Sequence, residues 1–274
     1  MTGEFALYSH GITIYWAFQA PRDPRAVVVL VHGFGEHSGR YLDHVIPFLV
    51  NRSLAVVRYD LFGHGKSGGK RGHCPGYGAL LELLGQVREK ASELFPRLDV
   101  FLYGHSLGGN LVLNRALREP EGIRAVIASS PYLRLAFRPP AWKLAAGRVL
   151  MRLMPAITME SGMDPSGISR VPEEVQKYMA DPLVHSRVSP LYTFPVIAAG
   201  EWALAHAHEL SIPVLLLHGT ADPITDHRAS MEFHSKSPLS ELELFEGGYH
   251  ELHNDLCRVA FLDRLALWFD QQLP

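Results

Sequence analysis

The sequence predicts an α/β fold: a mostly parallel sheet with helices on both faces and a helical cap inserted late in the chain. Three observations carry this. Runs such as Ala26–Val31 are apolar and β-branched without alternation, so they read as strands buried on both faces. Helical patterns alternate with those runs along most of the chain. Between Tyr132 and Glu209 the alternation stops, and prolines and short helical patterns replace it.

The totals narrow the function classes. A chain of 274 residues fits one large domain, or one domain carrying an insertion. A formal net charge of −2 offers no basic footprint for nucleic acid. Two cysteines, Cys74 and Cys257, are too few for a disulfide framework or a cysteine metal cluster. No run reaches the about 18 uninterrupted apolar residues of a membrane span. The N-terminus shows neither the basic start nor the apolar run of a secretory signal, so the expected location is the cytoplasm.

Taken in order, Phe5–Tyr8 and Ile12–Phe18 read as a hairpin at the sheet edge, since Ile12, Ile14, Trp16 and Phe18 alternate with Thr13, Tyr15 and Ala17. Ala26–Val31 is the first buried strand, followed by His32-Gly33-Phe34-Gly35 and a helical pattern ending near Asn51. Leu54–Asp60 is the next strand. A glycine-dense loop follows it, and then a helix from about Tyr77 to Phe95. Val100–Tyr103 leads into Gly104-His105-Ser106-Leu107-Gly108, with a helix immediately after. Ile123–Ala128 closes the first part of the core, 1–131.

The segment 132–209 reads as the cap, with helices at Trp142–Met154, Glu173–Ala180 and Ile197–Leu210. The apolar side of Trp142–Met154 suits cap core and equally a lid facing an acyl chain or a membrane surface, while Arg148 and Arg152 would favour an anionic head group. The core resumes over 210–274. It has strands at Pro213–Gly219 and Glu241–Phe245, and a last helix turning Val259, Leu262, Leu265, Ala266, Trp268 and Phe269 inward.

The chemistry follows from where these strands end, since ligands in parallel sheets lie beyond the strand C-termini. A strand, Gly-x-Ser-x-Gly and a helix in succession describe a nucleophile elbow centred on Ser106. Gly104 and Gly108 are needed because a Cβ would collide with the neighbouring strand or helix. A serine nucleophile needs a base and an acid that orients it. Asp222 and His250 each lie just past a strand at the same edge, and the order Ser106, Asp222, His250 suits this architecture. Asp60 reads as a brace for the loop 63–72, His218 as a locally bonded strand-end residue, and His253 as too near His250 to share its place. The oxyanion donors are the backbone N–H of Leu107 and of Phe34.

Other chemistries fit poorly. Lys66-Ser67 lacks the upstream glycine spacing of a phosphate loop. The pairs His206/His208 and His250/His253 have no carboxylate at metal-ligand spacing, so no metal is expected.

The sequence resembles the monoacylglycerol lipase and lysophospholipase-like branch of the α/β-hydrolase superfamily, essentially from end to end. His32–Tyr41, Gly104–Gly109 and Tyr249–His253 carry the resemblance, with Asp181-Pro182-Leu183 and His218–Asp222. It implies a serine esterase that releases fatty acid from a monoacylglycerol, with a lipid ester as partner and no cofactor; transient membrane contact through the cap rests instead on the apolar side of Trp142–Met154. The resemblance also implies head-group contacts at Glu36, Arg40 and His253, with Tyr178 from the cap. Phe34 stands where relatives often have alanine and would narrow the acyl entrance, whereas Leu107 replaces a commoner methionine with little expected effect. Neither cysteine falls near the triad, so thiol sensitivity is not expected.

The rivals are a lysophospholipase or general carboxylesterase, a serine aminopeptidase-like peptidase, and a silent lipid-binding module. Dehalogenase and epoxide-hydrolase chemistry would need a carboxylate where Ser106 stands.

Overall fold

The computed structural model describes residues 1–137 and 140–273. Its strands and helices are Thr2–Ser9 (β1), Ile12–Gln19 (β2), Ala26–Val31 (β3), Val45–Asn51 (α1), Leu54–Tyr59 (β4), Tyr77–Leu94 (α2), Asp99–His105 (β5), Leu107–Arg118 (α3) and Ala125–Ser129 (β6). Then come Ala141–Leu153 (α4), Met159–Glu160 (β7), Pro172–Ala180 (α5), Arg187–Val188 (β8) and Pro190–His206 (α6). Val214–Gly219 (β9), His227–Lys236 (α7), Ser240–Phe245 (β10) and Arg258–Gln272 (α8) complete the chain.

Eight strands form one sheet in the order β1-β2-β4-β3-β5-β6-β9-β10. The β1–β2 hairpin is antiparallel and also meets β4 antiparallel; the pairings from β4 to β10 are parallel. Each face of the central strands meets its own apolar layer. Val27, Val29 and Val31 join a core with α2, α3 and α6, whereas Ala26, Val28 and Leu30 join one with α1 and α8. The chain leaves β3 toward β4 on one side and returns to β5 on the other. The loops after β3 and β5 therefore diverge and open a crevice at the strand C-termini.

Four local readings are corrected. Helix α6 starts at Pro190 rather than near Ile197 and runs through Pro195. Pro190 sits in the first turn, where its missing N–H costs nothing, and burial of Tyr192, Val196 and Ala199 offsets the hydrogen bond lost at Pro195. The segment 132–209 also holds a two-stranded antiparallel pair, β7 with β8, too short to leave an apolar pattern. In α8, Val259 is exposed and Phe261 takes the buried place. In α4 and just after it, Val149, Leu153 and Met154 are exposed rather than turned into the cap.

Helix α6 is tied into the core. Asn110 Nδ2 donates to the Val196 carbonyl and Asn114 Nδ2 to that of Ala199. A Cβ on Gly200 would lie 2.2 Å from the Leu133 carbonyl oxygen. Among the described residues, no helix is long and apolar enough to cross a membrane.

Candidate active site

Ser106 occupies a turn that the flanking glycines make possible. With β5 ending at His105 and α3 beginning at Leu107, Ser106 alone reverses the chain, at φ 53° and ψ −113°. A non-glycine residue there costs about 1–3 kcal/mol and persists only where packing enforces it. A Cβ on Gly104 would lie 2.2 Å from the Gly108 carbonyl oxygen, and one on Gly108 2.1 Å from that of Val31. Backbone blocks both positions. The Ser106 N–H donates to the Ser129 carbonyl at 2.9 Å, which fixes the elbow to β6.

Asp222 follows β9, and His250 lies in the loop after β10. His250 Nδ1 is 2.7 Å from Asp222 Oδ2. The other carboxylate oxygen accepts from the N–H groups of Ile224 (2.8 Å) and Thr225 (3.0 Å). Thr225 Oγ1 donates to Oδ2 at 2.8 Å. Ser130, itself at φ 44°, donates its hydroxyl to the His250 carbonyl at 2.7 Å and so fixes that loop. Burial opposes charge on both groups, yet their mutual attraction prevails. Asp222 is held far below the ordinary carboxylate range, and the His250 pKa is raised above 6.5. Among the described residues, no hydrogen bond joins Ser106 to His250 in this conformation; the His250 ring lies 4.7 Å from that of His105, the residue beside the serine.

The loop after β3 lies against the elbow. A Cβ on Gly33 would be 3.3 Å from Ser106 Cβ and 2.9 Å from Glu36 Oε1. His32 Nε2 accepts from the Leu61 N–H, so its Nδ1 carries the proton and donates to the Gly33 carbonyl at 2.6 Å. From the other side, the His185 N–H donates to the Gly35 carbonyl at 2.8 Å, and His37 bonds Asp181. The Phe34 ring is half-buried and met edge-on by His64, His185 and Tyr192, with centroids 5.1, 5.9 and 5.1 Å away. Among the described residues, no acceptor takes the N–H of Phe34 or of Leu107.

Beside that loop lies a buried charge cluster. Glu36 Oε1 accepts from the Gly33 N–H and the Tyr41 hydroxyl at 2.6 and 2.7 Å, while Oε2 accepts from Arg40 at 2.8 Å. Arg40 also makes a two-pronged pair with Glu251, at 2.5 and 2.8 Å, and lies over the Tyr178 ring at 4.7 Å. Burial favours a neutral Glu251, but the Arg40 guanidinium outweighs it and holds the carboxyl well below its usual range. His253 stacks on Tyr41 at 4.8 Å, fully buried, and burial pushes its pKa down to about 4.

The family model described as "Serine aminopeptidase, S33" (Hydrolase_4) matches residues 22–256. The chain belongs to this family. It is 32% identical to a monoacylglycerol lipase of Mycolicibacterium smegmatis over 264 residues, covering 95% of this chain and 93% of that protein. A monoacylglycerol lipase structure from Paleococcus ferrophilus superimposes with a TM-score of 0.87 at 36% identity, covering 94% of this chain and 99% of that one. An uncharacterized abhydrolase domain-containing protein of Dictyostelium discoideum is 34% identical over 91% of this chain, which spans 27% of that longer protein. The molecule is thus a Hydrolase_4 member of the monoacylglycerol lipase-like type, with an α/β-hydrolase fold and the character of a serine hydrolase.

In this Hydrolase_4 chain Ser106, Asp222, His250, Phe34 and Leu107 meet at one sheet edge. Glu36, Arg40, His253 and Tyr178 also come together, but as a buried cluster rather than an open surface: Glu36 and His253 are 2% and 0% exposed. Glu251 escaped the sequence reading, although its place directly after His250 was a usable signal. Thr225, Ser130 and His185 escaped it too, since nothing local distinguishes them from loop residues. Asp60 braces two loops: its Oδ1 accepts from Ser38 and its Oδ2 from the Lys66 N–H. Burial raises the Cys74 and Cys257 thiols to about 12 and about 11, so neither offers a thiolate near neutral pH.

Proposed function

We propose that this protein is a serine carboxylic-ester hydrolase that releases the fatty acid of a monoacylglycerol through an acyl-enzyme on Ser106. One observation carries the reading. A strained serine, a His250–Asp222 pair at 2.7 Å and two unclaimed backbone N–H groups converge on one sheet edge.

In the reaction, His250 Nε2 takes the Ser106 proton as Oγ attacks the ester carbonyl. The contact between them tightens when substrate is bound. Negative charge builds on the carbonyl oxygen and is met by the N–H groups of Phe34 and Leu107. His250 then gives its proton to the departing glycerol oxygen. Water, deprotonated by the same imidazole, attacks the acyl-serine, and the fatty acid leaves as Ser106 regains its proton. Asp222 holds the ring in the tautomer with a proton on Nδ1 and stabilises the imidazolium.

The charge balance of the neighbouring cluster supports a neutral head group. Arg40 is already matched by Glu36 and Glu251, so it has no unpaired charge to offer a phosphate. Glycerol needs none. This ranks a monoacylglycerol above a lysophospholipid, and the four buried residues act by bracing the oxyanion loop. Residues 132–209 form the cap, anchored by α6, and the exposed Val149, Leu153 and Met154 supply a face for a lipid surface.

A fluorophosphonate probe tests the assignment. It should label the native protein at Ser106, fail on Ser106→Ala, and react far more slowly with His250→Ala. Labelling that survives Ser106→Ala would refute it.

A further inference from the structure

We propose that His218 is a positioning residue for the triad acid, pinning Thr225, which in turn holds the Asp222 carboxylate toward His250. The proposal rests on the reading of Asp222 as that acid.

His218 is the penultimate residue of β9, and its side chain and that of Asp222 are both fully buried. Its Nε2 lies 3.2 Å from both the carbonyl oxygen and Oγ1 of Thr225, and 3.3 Å from Asp222 Oδ2. A carbonyl can only accept, so Nε2 carries the proton and donates it to Thr225. Nδ1 then accepts from the Ser230 hydroxyl, 2.8 Å away on α7. The imidazole is therefore held at one end by a helix and presents a donor at the other.

Thr225 is the residue that grips the carboxylate: its N–H donates to Asp222 Oδ1 and its Oγ1 to Oδ2, the oxygen that receives His250 Nδ1. The Ile224 N–H also donates to Oδ1. Thr225 belongs to the same turn as Asp222, and His218 ties that turn to α7 through Ser230. His218 touches neither substrate nor the reacting atoms.

Two substitutions separate positioning from packing. Gln at 218 places its amide N–H where Nε2 stands; Asn reaches only the place of Nδ1 and keeps the Ser230 side. With a soluble p-nitrophenyl ester, His218→Gln should keep kcat within about threefold of wild type. His218→Asn should lower kcat about tenfold with KM within about twofold, the loss expected for one buried hydrogen bond. Ser230→Ala keeps the imidazole but frees Nδ1, and should lower kcat about threefold. It serves if the Asn variant does not fold.

Equal kcat for the Gln and Asn variants would overturn the proposal, as would losses that follow only the thermal midpoint. Asp222→Ala, run beside them, keeps the two readings apart. If it retains wild-type kcat, the triad assignment fails; if it is inactive while Gln and Asn behave alike, only the role of His218 fails.

Discussion

His250 Nδ1 and Asp222 Oδ2 stand 2.7 Å apart, in loops that follow the adjacent parallel strands β9 and β10. Their closeness is a property of the sheet, because parallel neighbours end at one edge and carry their following loops there together. Asp222→Ala should therefore remove the tautomer control of His250 without disturbing the strands. The expected outcome is a fall in kcat of about 10⁴-fold with KM little changed. Steady-state kinetics beside a thermal melt checks it, and a variant that melts like wild type yet keeps its kcat would contradict the assignment.

The same pair sets the acid limb of activity. Burial disfavours the His250 imidazolium, but Asp222 more than compensates and raises its pKa above 6.5. The base works only when neutral, so activity falls as pH drops through that value. A plot of log kcat/KM against pH should rise with unit slope to a midpoint above 6.5. An acid midpoint clearly below 6.5 would show that Asp222 does not act on the imidazole as described.

Stability in acid depends on other histidines. Burial lowers both His253 and His185 from 6.5 to about 4. Unfolded, they take up protons near 6.5; native, they stay neutral until about 4. Their contribution is complete above 6.5 and is lost as pH falls toward 4. His250 works in the opposite direction, adding stability below 6.5 that is lost as pH rises through its folded pKa. Buried neutral histidines outnumber it, since His32, His64 and His105 are also lowered by burial. Urea midpoints should fall from about pH 7.5 to about pH 5, and His253→Phe should flatten that slope.

Two glycines offer a paired test of packing. The 2.1 Å approach of a Cβ on Gly108 to the Val31 carbonyl leaves no flexible group to yield. Gly108→Ala should cost about 3 kcal/mol or more and abolish activity. A Cβ on Gly78, in α2, meets nothing within 4 Å, so Gly78→Ala should be neutral or stabilising by up to about 1 kcal/mol. Chemical denaturation of both variants decides it.

The parts of this molecule that were legible in its sequence are those written in local pattern. Apolar runs located most of the parallel strands, and Ser106, Asp222 and His250 could be read because each follows a strand-like segment. Helix α6 was misjudged at its start because Pro190 and Pro195 mimic a loop, while the packing that overrides them comes from α3. Val259 and Phe261 were exchanged because both fit an apolar stripe on α8, and only the neighbouring sheet decides which faces inward. The pairing of Arg40 with Glu251 joins residues 211 positions apart and leaves no local trace. The bond between His218 and Thr225 is nearby in sequence, but it depends on how one turn folds back on the end of β9.

Hydrolysis of a monoacylglycerol chain-length series, measured beside lysophospholipids of matched acyl chains and with Ser106→Ala as control, tests the central claim most directly. Turnover should be highest on the monoacylglycerols, weak on the phosphate-bearing esters, and absent from the Ser106 variant. Turnover confined to lysophospholipids would contradict the head-group reading, and turnover that survives Ser106→Ala would contradict the mechanism itself.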